Sequence, residues 1–375
     1  MRYLLKYIQR DLCDKMVILS GPRQAGKTTL SQALLKKEDV YLNWDIEDHQ
    51  KIIKDKLWKK DINLVVFDEL HKYLKWKNFL KGIIDEFQNT PALLVTGSAR
   101  LDIFKHEGDA LTGRYYHYRL HPIDLAESKN FLPEMNDTDR LDYLLETGGF
   151  PEAFLNPQNA TRLRTSRFDL VLYEDLRDLN KTSSVRGLKL LISLLRERIG
   201  QQVNESNLAQ DIGVSPTTVR NWIILLENLY VIFLVPPYSK GLARSIRKEK
   251  KVYFYDCAAG LTHGARLENV AGSSLLKYCH FMRDVYGKEL ELYYYRDREG
   301  REVDFVITEN IKVKWCLEIK SSDGALSKSL QYLDKKINPE NSYQLVQNIS
   351  IEKEKNNIQI LSFARWFDNI YNTTQ

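Results

Sequence analysis

Cysteine is scarce, and its spacing excludes more than its number does. Cys13, Cys257, Cys279 and Cys316 lie far apart, and no CxxC pair exists. A structural zinc site of the usual spacing is therefore not expected. Four scattered thiols in so long a chain read as the reduced residues of a cytoplasmic protein. Long apolar runs are also lacking. Nothing approaches the ~18 residues that span a bilayer. The opening MRYLLKYIQRDLCDK mixes charges with apolar residues, unlike a secretory signal or a lipidation site. No membrane partner is expected. No low-complexity tract and no internal repeat is present, which excludes solenoids and arrays. Excess charge of one sign is small: 55 Lys and Arg stand against 50 Asp and Glu, a net charge of +5. That balance allows a polyanionic partner without demanding one.

What is present is a globular composition, 43% hydrophobic and 28% charged over 375 residues. That length suffices for roughly two to three domains. Residues 16–20 (MVILS) read as a buried strand leading into glycine. A helical pattern follows at 27–37, then strands at 40–44 and 63–67, a helix at 74–88 and a strand at 92–96. Apolar strands alternating with helices predict a parallel α/β sheet covered on both faces. Residues 141–179 turn helical, punctuated by GGFP at 148–151. Strand-like runs return at 252–255, 290–295, 302–307 and 313–319 as a second, mixed α/β region.

The segment 21–28, GPRQAGKT, fits G-x-x-x-x-G-K-[ST], with a strand before it and a helix after it. Gly21 and Gly26 let the backbone turn so that its N–H groups converge on phosphates. The expected phosphate cradle is Gly21, Pro22, Arg23, Gln24, Ala25, Gly26, Lys27, Thr28 and Thr29. Lys27 would reach the terminal phosphates of ATP, and the Thr28 hydroxyl would help hold Mg²⁺. LVVFDEL at 64–70 places Asp68 and Glu69 at a strand's C-terminal edge, where open α/β sheets bind ligands. Asp68 is the expected second metal residue, and Glu69 the residue that orients or activates water. Ser98, with Thr96 as the alternative, is the candidate to sense the γ-phosphate from the tip of the neighbouring strand.

The combination of GPRQAGKTT, FDELHKYLKWKNFLKGIID, LLVTGSAR, LTGRYYHYRLHPIDLAE and GGFPEAF resembles a family of prokaryotic AAA-type ATPases. In that family the ATPase module is joined to a C-terminal domain of unknown function, number 4143. The resemblance implies an AAA+ core with a helical lid, and it favours ATP over GTP. It also matches Arg114, in LTGRY, to a Gly-Arg element. That arginine would stabilise transition-state charge in its own site or in a neighbour's. Action in trans requires a homo-oligomer, with a hexamer as one candidate. Arg100 is a rival for the role.

Residues 204–227 carry the pattern of a helix-turn-helix. Leu208, Ala209, Ile212, Val214, Val219, Trp222 and Ile223 recur at helical spacing around a Gly213 turn. Ser215 and Pro216 open the second helix. Thr217, Thr218, Arg220 and Asn221 would then face a DNA groove. A strand at 229–234 and a basic wing follow, with Lys240, Arg244, Arg247, Lys248, Lys250 and Lys251 against Glu249 alone. Arg244, Arg247 and Lys248 are the expected backbone contacts.

Toward the C-terminus, Glu268 in a helical segment, Asp304 on a strand, and Glu318 with Lys320 on the next strand are similar in order to the PD-(D/E)xK nuclease core. Residues two apart on a strand share a face. The carboxylates would hold Mg²⁺, with Lys320 positioning water. Tyr293 and Tyr295 share a face and read as core.

The expected architecture is a P-loop AAA+ core (1–135), a helical lid (136–185), a winged helix-turn-helix (186–238) and a nuclease-like mixed α/β domain (239–375). The expected function is an Mg²⁺-dependent ATPase that binds DNA and remodels it or translocates along it as a ring. Two alternatives stand beside it. One is an ATP-dependent switch or defence-type sensor with a non-catalytic nuclease-like effector domain, and the other is an ATP-regulated nuclease.

Overall fold

The apolar runs of the first hundred residues become strands because every position in them has a face to bury. A computed structural model describes residues 2–59, 62–87, 90–97, 111–172, 185–239 and 249–372. The contacts divide it into two compact units, Met1–His121 with Asn228–Tyr230, and Pro122–Glu227 with Val231–Gln375.

In the first unit, helix α1 (Leu5–Asp11) precedes β1 (Met16–Ser20), α2 (Lys27–Gln32), β2 (Val40–Asn43), α3 (Glu47–Asp55), β3 (Leu64–Asp68), α4 (Trp76–Phe87), β4 (Ala92–Thr96) and β5 (Tyr115–Arg119). The strands form one sheet in the order β2-β3-β4-β1-β5, and every pair is parallel. All five residues of β1 and of β3 are buried, as expected for strands covered on both faces. Val65, Phe67, Val95, Leu80 and Ile83 knit sheet and helix into one core. The order leaves β4 between β1 and β3, so the tips of three strands meet at one edge.

The second unit begins with short helices α5 (Leu125–Ser128), α6 (Asp137–Thr147), α7 (Pro151–Leu155) and α8 (Ala160–Leu170). Residues 136–172 of the expected lid fall in this unit, together with residues 122–135 that were expected in the core. The reason is ionic as well as apolar. Lys277 reaches Asp124 at 3.0 Å and Glu127 at 2.7 Å, with all three side chains buried. The GGFP segment serves the same unit: the Arg167 guanidinium lies over the Phe150 ring and binds Asp256 at 2.7 Å.

Helices α9 (Val185–Arg196), α10 (Glu205–Ile212) and α11 (Pro216–Asn228) follow, then the antiparallel pair β6 (Ile232–Val235) and β7 (Lys251–Phe254). The turn between α10 and α11 has Gly213 in the left-handed region, and Ser215 Oγ accepts from Thr218 N at 3.1 Å.

Last come α12 (His263–Tyr286), β8 (Leu290–Arg296), β9 (Glu302–Glu309), β10 (Lys312–Ser322), α13 (Lys328–Ile337), β11 (Asn341–Asn348), β12 (Lys353–Lys355), β13 (Ile358–Ser362) and α14 (Phe363–Asp368). They build a mixed six-stranded sheet, ordered β12-β13-β11-β10-β9-β8. Tyr295 joins its core cluster, with Tyr293 packed against it. Among the described residues, no helix is long and apolar enough to cross a membrane.

Candidate nucleotide site and nuclease-like cluster

The loop after β1 turns so tightly that its first position admits no side chain. Gly21 has φ +146°, and a Cβ there would stand 2.3 Å from the Leu120 carbonyl oxygen. Gln24 and Gly26 also have positive φ, 60° and 92°. Lys27 is buried, and its Nζ donates to Gly21 O at 2.9 Å and Pro22 O at 2.8 Å, so the ammonium lies folded on its own loop.

Asp68 is the hub of the edge. Its Oδ2 accepts from Thr28 Oγ1 at 2.9 Å and from the Tyr41 hydroxyl, and its Oδ1 accepts from the Thr96 hydroxyl. The parallel register explains the convergence, because Asn43 stands opposite Asp68 and Phe67 opposite Val95. Thr96 therefore braces Asp68. Ser98, the other expected sensor, and Arg100 lie outside the described residues. Tyr41 was missed by sequence reasoning. Its only signal was a hydroxyl-bearing residue one position before the apolar Leu42 in β2, which identifies no partner.

Glu69 adopts the left-handed conformation, φ 56°, which a residue with a side chain takes only under local constraint. Its Oε2 is buried without a hydrogen bond, with Lys72 Nζ 3.8 Å and His71 Nε2 3.6 Å away. Burial raises the Glu69 carboxyl above its ordinary range, while Lys27, Lys72 and Arg23 pull it down and Asp68 pushes it up. An orphaned buried carboxylate oxygen beside a braced Asp and a hydroxyl is a donor set that fits a hydrated Mg²⁺ and a phosphate chain.

Arg114 stands elsewhere. Met16 is opposite Tyr115 and Ser20 opposite Arg119, so Arg114 sits at the strand end remote from the loop. At ~3.3 Å per residue the separation is roughly 16 Å, too far for action in its own site. Its guanidinium binds Asp85 on α4.

On α11, Thr217, Arg220 and Asn221 are exposed, while Thr218 is half-buried. The Thr218 hydroxyl lies 2.8 Å from Ser215 Oγ and so belongs to the helix cap. Arg220 pairs with Glu205 at 2.8 Å on the surface. Beside it opens a groove of about 580 Å³ whose lining includes Val203, Ile224, Glu205, Glu227 and Glu249. Arg244, Arg247 and Lys248 lie outside the described residues.

The nuclease-like residues come together. Lys320 Nζ binds Glu318 Oε1 at 2.7 Å, and Asp304 Oδ2 accepts from Ile319 N at 2.9 Å. Burial and the charge of Asp304 raise the carboxyls of both Glu268 and Glu318. Among them stands Lys251, expected in a solvated wing but 1% exposed here. Sequence reasoning missed it because its partners are distant in the chain.

A five-stranded parallel sheet with a glycine-bounded phosphate loop and an Asp-Glu strand tip defines a P-loop α/β domain. The family models agree. An AAA domain matches residues 13–129, a domain of unknown function (DUF8612) matches 138–267, and a domain of unknown function (DUF4143) matches 263–366. An N-terminal AAA domain followed by a C-terminal DUF4143 domain is the arrangement of the AAA-type family that the sequence resembles. The chain is 26% identical over 254 residues to an uncharacterized protein of Mycobacterium tuberculosis, covering 66% of this chain and 55% of that one. It thus spans about half the length of that relative, as it does for the Mycobacterium bovis counterpart. An uncharacterized protein of Methanocaldococcus jannaschii is 22% identical over 390 residues, covering 87% of this chain and 80% of that one. Among solved structures, the Aeropyrum pernix ORC1 protein in complex with DNA aligns at TM-score 0.36 and 12% identity, covering 74% and 94% of the two chains. A signal-transduction ATPase with a tetratricopeptide repeat sensor from Pyrococcus horikoshii aligns at TM-score 0.26 and 12% identity, covering 75% and 46%.

Proposed function

We propose that the chain is an Mg²⁺-dependent ATPase that binds DNA and couples hydrolysis to remodelling or translocation, as a ring of identical subunits. The observation that carries the ATPase reading is Asp68, braced by Thr28, Tyr41 and Thr96 beside the buried Glu69 Oε2, which accepts no hydrogen bond. Gly21, Gly26 and Lys27 would hold the phosphates, with Lys27 turning from its own carbonyls to the terminal oxygens. Thr28 and Asp68 would hold Mg²⁺, which neutralises charge on the phosphates. Glu69 would accept a hydrogen bond from the attacking water and orient it. Exposed Thr217, Arg220 and Asn221 support the DNA reading, because an exposed pair such as Arg220–Glu205 costs little to break.

A second reading is an ATP-held switch that grips a protein. The groove beside α11 favours it, since Glu205, Glu227 and Glu249 outnumber Arg220 and Lys250 in its lining. Carboxylates there suit a basic peptide better than a phosphate backbone.

The test is ATP hydrolysis with and without duplex, forked and four-way-junction DNA, with Glu69→Gln and Lys27→Ala as controls. Strong stimulation by one DNA form, lost in both variants, is the expected result. Hydrolysis indifferent to every DNA would transfer the reading to the switch.

A further inference from the structure

The carboxylates of the nuclease-like cluster are gathered around an amino group. Lys251 Nζ, from β7, lies 2.6 Å from Glu302 Oε1, 3.5 Å from Glu268 Oε1 and 3.8 Å from Asp304 Oδ1. Further donors reach the same carboxylates. The Tyr253 hydroxyl donates to Glu268 Oε1 at 2.7 Å, Ile319 N donates to Asp304 Oδ2, and Arg296 holds Glu302 Oε2 at 3.0 Å. Lys320 holds Glu318 Oε1, which leaves Glu318 Oε2 as the cluster's buried oxygen without a hydrogen bond. Four carboxylates thus face Lys251, Lys320 and Arg296.

A divalent metal needs several oxygens within about 2.0–2.6 Å of one point. Where Glu268 and Asp304 converge, that point is filled by an ammonium. Among the described residues, no group of three or more His, Cys, Asp or Glu is arranged to hold a metal. The backbone also closes over the site: a Cβ at Gly200, whose φ is +76°, would lie 2.5 Å from a Glu268 carboxylate oxygen. Metal entry would require Lys251 to leave a buried position and three carboxylates, an exchange that strands its charge.

We propose that Lys251 is the resident cation of this cluster. It stands between Glu268 and Asp304, two of the three carboxylates that a nuclease would turn toward its divalent metal, so the domain does not cleave phosphodiesters. The cluster instead fastens the hairpin strand β7 to α12 and β9, making the hairpin and the mixed sheet one mechanical piece. The hairpin is then stiff toward the sheet, and whatever α10 and α11 grip pulls directly on the C-terminal domain.

The test is Mn²⁺ binding by nucleotide-free, full-length protein, read as loss of the free-ion electron paramagnetic resonance signal. Nicking of supercoiled DNA in Mn²⁺ is the second readout. Wild type and Asp304→Asn are expected to bind equally little Mn²⁺ and to leave the DNA intact. Lys251→Met is expected to gain Mn²⁺ binding that a further Asp304→Asn removes. Binding or nicking by wild type that Asp304→Asn abolishes would overturn the proposal. So would a folded Lys251→Met protein that gains no Mn²⁺. If Lys251→Met does not fold, the wild-type and Asp304→Asn comparison decides alone.

Discussion

Three hydroxyls converge on Asp68, and their contributions separate by substitution. A hydrogen bond to a charged group contributes ~1.5–3 kcal/mol. Tyr41→Phe removes one such bond and keeps the ring, so it should lower the hydrolysis rate on the order of tenfold and leave ATP affinity nearly unchanged. Steady-state kinetics and equilibrium binding of a fluorescent ATP analogue check both halves. Glu69→Gln should behave differently, losing about 10²–10⁴ in rate while ATP is retained, because the role proposed for its carboxylate is on water and not on the phosphates. Gly21→Ala should abolish nucleotide binding outright. Both the positive φ and the Leu120 carbonyl exclude a Cβ, and the loop must open to admit one. Calorimetric titration with ATP would show no heat, and wild-type-like affinity would refute the steric account.

At the scale of elements, Asp256 is the buried joint between β7 and α8. Arg167 and Arg164 approach its Oδ2 at 2.7 and 3.0 Å. Burial alone would raise its carboxyl, but the two guanidinium groups outweigh burial and hold it below the ordinary range. A depressed carboxyl stabilises fully above its unfolded value of about 3.9 and loses that contribution as pH falls through the folded value. Asp256→Asn strands the buried Arg167 and the half-buried Arg164 and should cost about 3–5 kcal/mol near neutral pH. Urea denaturation should show that deficit constant from pH 6 to 8, the window above both values, and a deficit that varied there would argue against the pair. Elements of this kind differ in how openly the sequence declares them. β1 and β3 are unbroken apolar runs ending in glycine or in Asp-Glu, so strand, edge and chemistry are legible together. The YYHYR run of β5 is half-buried at the sheet edge and has no apolar stripe, and it was not expected as a strand. Lys251 sits in the run RKEKK, which locally has the composition of a solvated loop. Only Glu268, Glu302 and Asp304, brought in from 17 to 53 positions away, turn it into a buried cation. Short-range pattern carries no record of such pairings.

At the scale of the whole molecule, Arg114 decides whether one subunit suffices. Parallel register holds it at the end of the sheet away from the phosphate loop, and Asp85 engages it at the surface. If Arg114 is an arginine finger, this placement gives it reach only into another subunit's site, across the heterologous contact that the proposed ring would supply. Arg114→Ala and Lys27→Ala proteins should each be inactive alone. The first keeps an intact phosphate loop, and the second keeps an intact finger. Mixed in equal amounts and allowed to exchange subunits, they should recover about a quarter of wild-type hydrolysis, because random neighbours complete that share of sites at a heterologous interface. Recovery of that size, absent when Arg114 and Lys27 are replaced in the same chain, would establish that each site is built from two subunits. No recovery despite proven exchange, or full activity of Arg114→Ala alone, would return this arginine to its bond with Asp85 and leave the ring without its catalytic reason.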